Sequence, residues 1–158
     1  MTKSRFLRSA LLIIAIILLG SPAVEPAGPF QFFSVTPCRI VDTRNPNGPT
    51  GGPAMNSGQP RGFPITGLCG IPGTAKAVAL NVTVVTPTAD GFLMLYPYNT
   101  SQPLVSTINF VAGESALANG AIVPLTTGDP SGLNLTIVYG TAVPGACHVI
   151  VDVTGYFQ

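Results

Sequence analysis

Apolar and polar residues alternate with a period of two along most of this chain, and no segment beyond residue 23 sustains a helical period. From Ala75 to Val85, Val78, Leu80, Val82 and Val84 fall on one face while Asn81 and Thr83 fall on the other, which predicts a half-buried strand. Val105–Phe110 alternates in the same way, and Leu133–Tyr139 places Leu133, Leu135 and Ile137 together. Phe92–Tyr98 is apolar on both faces. His148–Phe157 aligns Val149, Val151, Val153 and Phe157; free of proline and strongly apolar, it is expected at the centre of a sheet. Phe30–Val35 and Cys38–Arg44 read as two short strands parted by Pro37, and Pro124 assigns Ala121–Leu125 to an edge or a bulge. Turn signals stand at Pro87, Asp90-Gly91, Asn119-Gly120 and Gly128–Gly132. Roughly eight or nine short strands with a turn about every ten residues predict an all-β, antiparallel β-sandwich of jelly-roll type; a closed β-barrel is the alternative.

Two segments stand outside that pattern. Lys3, Arg5 and Arg8 precede an unbroken apolar run from Ala10 to Leu19, followed by Gly20-Ser21-Pro22-Ala23. The run is about half the roughly 20 residues that a membrane-spanning helix needs, and its small-residue end resembles a cleavage site. Residues 1–23 are therefore expected to be an export signal, 24–29 a short leader, and 30–158 one secreted domain with no membrane span. The second segment, 45–61, is punctuated by Gly and Pro and predicts a long loop, either functional or mobile.

Charge changes the picture more than size does. Charged residues make up only 8% of the chain while hydrophobic ones make up 46%, which excludes a disordered chain. Loss of residues 1–23 removes three of the seven basic side chains and leaves four against six acidic ones, turning a net +1 into −2. Without a basic patch, nucleic acid and anionic membrane surfaces are excluded as partners. A surface so poor in charge belongs either to a compact domain coated in Thr, Ser, Asn and Gly, or to one that packs on copies of itself or on another protein.

In an oxidising compartment two of the three cysteines should pair. Cys38 with Cys69 is the expected disulfide, because it clamps the Gly/Pro segment. Cys147 is left over, either as a buried inert thiol or as an intermolecular one. No cysteine pair has zinc-ligand spacing, and Asp42, Asp90, Asp129 and Asp152 are scattered too widely for a calcium loop, so neither a metal nor another cofactor is expected.

Candidate chemistry is thin. His148 and Asp152 lie about 13 Å apart along one strand face, too far for a dyad, and Cys147 and His148 point to opposite faces. No Gly-x-Ser-x-Gly elbow is present, so no catalytic residues are assigned and no enzyme is expected. Arg39, Asp42, Arg44 and Asp152 concentrate the charge, with Asp42 and Arg44 on one strand face and Arg39 on the other. They read as structural ion pairs, or as an arginine fork for a carboxylate or acidic sugar. Tyr96 and Tyr98 offer a sugar-stacking platform, although tyrosines of this kind also serve as core-edge residues.

Several segments together, Pro37–Arg44, Leu80–Val85, Gly91–Pro97, Ser106–Phe110 and Val151–Phe157, resemble a β-domain found in exported proteins of environmental bacteria, often in tandem or beside cell-wall modules. The resemblance implies an exported, non-catalytic surface or matrix module and brings no active site with it. Two functions are then expected to compete. One is a structural or adhesive module at the cell surface, binding itself or other surface proteins; the other is a carbohydrate-binding module with a polysaccharide partner.

Overall fold

Alternation of the kind seen between residues 75 and 157 buries one face of each strand, and two such faces must close on each other. The computed structural model describes residues 28–158. The signal read at 1–23, and most of the leader at 24–29, lie outside the described residues. Nine strands form: β1 (Phe32–Asp42), β2 (Met55–Asn56), β3 (Arg61–Phe63), β4 (Ala77–Val85), β5 (Gly91–Pro97), β6 (Ile108–Phe110), β7 (Ala116–Pro124), β8 (Leu135–Gly140) and β9 (Ala146–Phe157). Among the described residues there is no helix.

One sheet runs β1-β9-β4-β7, with β2 also pairing β9; the other runs β3-β8-β5-β6. All strand pairs are antiparallel. The chain crosses between sheets at β2–β3, β3–β4, β4–β5, β6–β7, β7–β8 and β8–β9, and the two strand orders are those of a jelly roll. The sheets face each other as a sandwich and do not close into a barrel. As its composition predicts, β9 lies centrally, between β1 and β4.

The core is built from inward rows. Val78, Leu80, Val82 and Val84 of β4 lie beside Val149, Val151 and Val153 of β9, and all are buried. Leu93 and Leu95 of β5 and Leu135, Ile137 and Tyr139 of β8 close the same cluster from the other sheet. Each such side chain contributes about 1.5–3 kcal/mol by leaving water. Tyr139 is fully buried because its hydroxyl donates to the Ala89 carbonyl at 2.8 Å, leaving no polar group unpaired.

Four sequence expectations need correction. The two N-terminal strands are one strand, β1, with a register shift between Ser34 and Cys38. Pro37 sits inside that irregularity, where a missing N–H costs no ladder bond. Asn119-Gly120 is not a turn: both residues lie inside β7, paired to Val82 and Asn81. The strand expected at Val105–Phe110 begins only at Ile108. Finally, the long loop at 45–61 is not structureless, since it contains β2 and ends in β3 at Arg61.

Candidate functional site

The charged residues gather on the outer side of the β1–β9 pair. Arg39 donates to both carboxylate oxygens of Asp152, at 2.8 and 3.1 Å. Arg44 grips Asp42 in the same two-pronged way, at 2.9 and 2.7 Å, and Arg39 Nη1 stands 3.6 Å from Asp42 Oδ2. The four groups thus form one chain of alternating sign. Arg39 had been expected on the face opposite Asp42. A second register shift between Arg39 and Val41 inserts Ile40 as an extra residue and turns Arg39 to the side of Asp42. Asp42 is almost fully buried, and hydrogen bonds from Arg44 hold its carboxyl at about 2, well below the usual carboxylate value. Both guanidinium forks are spent on internal carboxylates, so they do not form an open fork for an acidic ligand.

Cys38 and Cys69 form the expected disulfide, with Cα atoms 5.8 Å apart. Beside it, the Gly/Pro loop is organised by a residue the sequence did not single out. Arg61 donates to the carbonyls of Gly48, Gly51, Gly52 and Pro53 at 2.7–3.0 Å, and its guanidinium lies 4.7 Å from the centre of the Phe63 ring. Burial pulls its pKa below the ordinary arginine value. The cage has no carboxylate in it. Carbonyl partners carry no side-chain signature, which is why only the isolated basic residue closing a Gly-rich segment could have signalled it.

Cys147 is a buried free thiol, and burial pushes it up to about 12, so it is held as an unreactive thiol at neutral pH. It is not poised for an intermolecular disulfide. The neighbouring His148 turns outward, its Nδ1 3.2 Å from Thr43 Oγ1, which also accepts the N–H of Val149 at 2.8 Å. Asp152 is taken by Arg39, and His148 has no carboxylate partner among the described residues. No group of three His, Cys, Asp or Glu that could hold a metal ion occurs among the described residues.

The proposed sugar platform does not form as expected. Tyr96 is only 7% exposed and packs with Met94 and Val138 on the outer face of β5 and β8. Tyr98 presses on Gly62, where even a Cβ would approach the ring to 2.7 Å. Next to this cluster, Phe92, Met94, Gln102 and Leu104 line an open apolar groove of about 360 Å³. It contains no charged side chain; its polar lining is Gln102, Ser106 and Asn109, of which Asn109 donates to Ser106 at 3.0 Å.

The most distinctive surface is a sheet edge. A sandwich has four edge strands, each a row of unpaired main-chain groups that natural proteins blunt. Here β1 is blunted by two register shifts, by Arg39 and by its disulfide. The opposite sheet ends in β3 and β6, only three residues each. By contrast β7 is nine residues long, pairs with β4 without a register shift, and carries no charged side chain. Ile122 on this strand is 64% exposed. Comparisons with protein-family models, with curated proteins and with solved structures find no match to this chain.

Proposed function

We propose that this chain is an exported, non-catalytic structural or adhesive module that joins an extracellular assembly by main-chain pairing along β7. One observation carries the reading: three of the four sheet edges are blunted, while the longest regular one is open and uncharged. An unprotected edge of that length is a template for another strand, and it is costly to leave exposed unless it has a use. The Cys38–Cys69 disulfide fits an oxidising compartment, and the low charge fits a surface meant to be covered. The clustered charges are spent internally, Arg39, Asp42, Arg44 and Asp152 on one another, and Cys147 lies in the core. The carbohydrate-binding alternative loses its support with the burial of Tyr96.

Hydrogen exchange of the secreted protein, alone and on its own cell envelope, tests this directly. Amides of Ala116, Ala118, Gly120 and Ile122 are expected to exchange fast in dilute solution and slowly in the assembly. If these amides exchange equally fast in both states and the protein stays monomeric and unattached, the reading is wrong.

A further inference from the structure

The hydrogen-bond phase of β7 can be read from its two ends. Leu125 N–H donates to the Lys76 carbonyl, and Thr86 N–H to the Glu114 carbonyl. Even-numbered residues of β4 therefore bond toward β7, and by the antiparallel register their partners Leu117, Asn119, Ala121 and Val123 bond back. The N–H and C=O groups of Ala116, Ala118, Gly120 and Ile122 must then point away from the sheet, and none has a partner among the described residues. Pro124 occupies the next outward position, where its missing N–H ends the row. At the other end, two residues before Ala116, the Glu114 carbonyl is already engaged.

The open stretch is thus bounded at 114 and at 124, and its midpoint is Asn119. A strand that pairs antiparallel with matching ends has the same bounds about the same midpoint, and β7 of a second copy meets that condition. Centred on Asn119, such pairing sets Ala116 opposite Ile122 and Ala118 opposite Gly120, so about eight main-chain hydrogen bonds form across the axis. Side chains complement as well. The exposed Ile122 lies beside the small Ala116, Ala118 beside Gly120, and on the inner side Leu117 beside Ala121. No charged side chain lies between 116 and 124, so the two-fold axis brings no like charges together. Asn119 already donates to the Thr107 carbonyl at 2.7 Å and keeps its oxygen free on the axis. The other edge of the same sheet, β1, cannot supply an equal ladder because its two register shifts break it.

We infer that a second copy of this chain pairs with β7 about a two-fold axis through Asn119, joining two four-strand rows into one continuous eight-strand sheet. This rests on the assembly reading above and names its partner. A closed two-fold contact of this kind is self-limiting, unlike a head-to-tail edge contact, which propagates.

Cysteine scanning on the secreted protein tests the register. Asn119→Cys is expected to give a disulfide-linked dimer under air oxidation, since only a residue on the axis faces its own copy. Ala116→Cys alone is expected not to cross-link, but to do so when mixed with Ile122→Cys. Gly120→Pro removes an outward N–H that β4 does not use, so the fold is kept and the dimer should weaken at least tenfold by light scattering. If a dimer forms that ignores Gly120→Pro or fails to link through position 119, the two-fold pairing is overturned and the assembly reading stands. A chain monomeric from nanomolar to near-millimolar, with β7 amides protected only on envelope material, also overturns the self-pairing alone. Monomer with β7 amides unprotected everywhere overturns both.

Discussion

The guanidinium of Arg61 donates from Nη2 to the carbonyl of Gly51 at 2.7 Å, and the same nitrogen reaches the carbonyls of Gly48 and Gly52. A Gly/Pro segment has little side-chain surface to bury, so its ordering entropy must be offset by something else. Here a charged donor fork reaches the carbonyls of Gly51 and Pro53, which the loop's own turns leave free, and adds a second donor to those of Gly48 and Gly52, which already accept from Gly51 N–H and Gly48 N–H. The cation is placed by β3, whose Phe63 is buried in the core and lies under the guanidinium. The core thereby holds a loop that has almost no core residues of its own.

Arg61→Ala is expected to release this loop. Four charge-assisted hydrogen bonds disappear and the buried Gly51 carbonyl loses its partner, while those of Gly48 and Gly52 keep their turn bonds, so a loss of about 1–3 kcal/mol follows. Limited proteolysis should begin within residues 45–60 before any other site opens. Arg61→Lys should restore only part of the stability, because an ammonium cannot span carbonyls with a planar fork. Equal protease resistance of Arg61→Ala and the wild type would refute the clamp.

Acid should weaken the fold through Asp42. Its carboxyl titrates at about 2 in the folded chain, against 3.8 when free of its arginine partners. A depressed carboxylate contributes its stability above the unfolded value and loses it as pH falls from about 4 through 2. By linkage that is about 2 kcal/mol, an upper figure because solvent reaches Arg44. Denaturant midpoints should therefore fall between pH 5 and pH 2. Asp42→Asn should start lower at pH 7 and fall less over that window.

How far this fold could be read from sequence depends on where each signal originates. The inward rows of β4 and β9 were legible because one-sided burial imprints alternation directly, as in Val78, Leu80, Val82 and Val84. The disulfide was legible because Cys38 and Cys69 flank the loop closely on either side. Asn119-Gly120 misled because its turn preference is local, whereas nine residues of ladder to β4 decide the conformation. The side taken by Arg39 was lost for a similar reason: a single extra residue at Ile40 inverts the facing, and no residue type announces a bulge. The open edge is a property of topology. Within 116–124 only Pro124 pointed to an outermost position for β7.

Thiol chemistry should separate the two cysteine roles. In the folded protein no thiol is expected to react at pH 8, because Cys147 is buried and held up at about 12 while Cys38 and Cys69 are paired. Denaturation without reductant should release one reactive thiol per chain. Breaking the disulfide by Cys38→Ser with Cys69→Ser should cost about 3–4 kcal/mol, the loop-closure entropy of some thirty residues. Labelling of Cys147 in the native protein at a rate close to that of a free thiol would contradict this assignment.

Asn134 is the polar residue on which the loop-rich end of the sandwich depends most. It is 5% exposed, and its Oδ1 accepts from Ile65 N, Thr66 N and Thr66 Oγ1 at 2.9–3.1 Å, while Nδ2 donates to the Thr126 carbonyl at 2.9 Å. Its main chain bonds Phe63, Tyr98 and Thr126 as well, so one residue ties together four segments distant in sequence. Although Asn134-Leu135-Thr136 matches a glycosylation acceptor, its burial gives the side chain a structural task. Asn134→Ala should strand the Ile65 and Thr66 amides and the Thr126 carbonyl without partners, each costing about 1–3 kcal/mol where water cannot replace the amide. A total loss of about 3–5 kcal/mol is expected, with hydrogen exchange accelerated at Ile65 and Thr66 ahead of global unfolding. Replacing Asn81, which faces outward from β4, should cost under about 1 kcal/mol by the same measurement. If the two substitutions destabilise equally, the network around Asn134 does not hold these segments together.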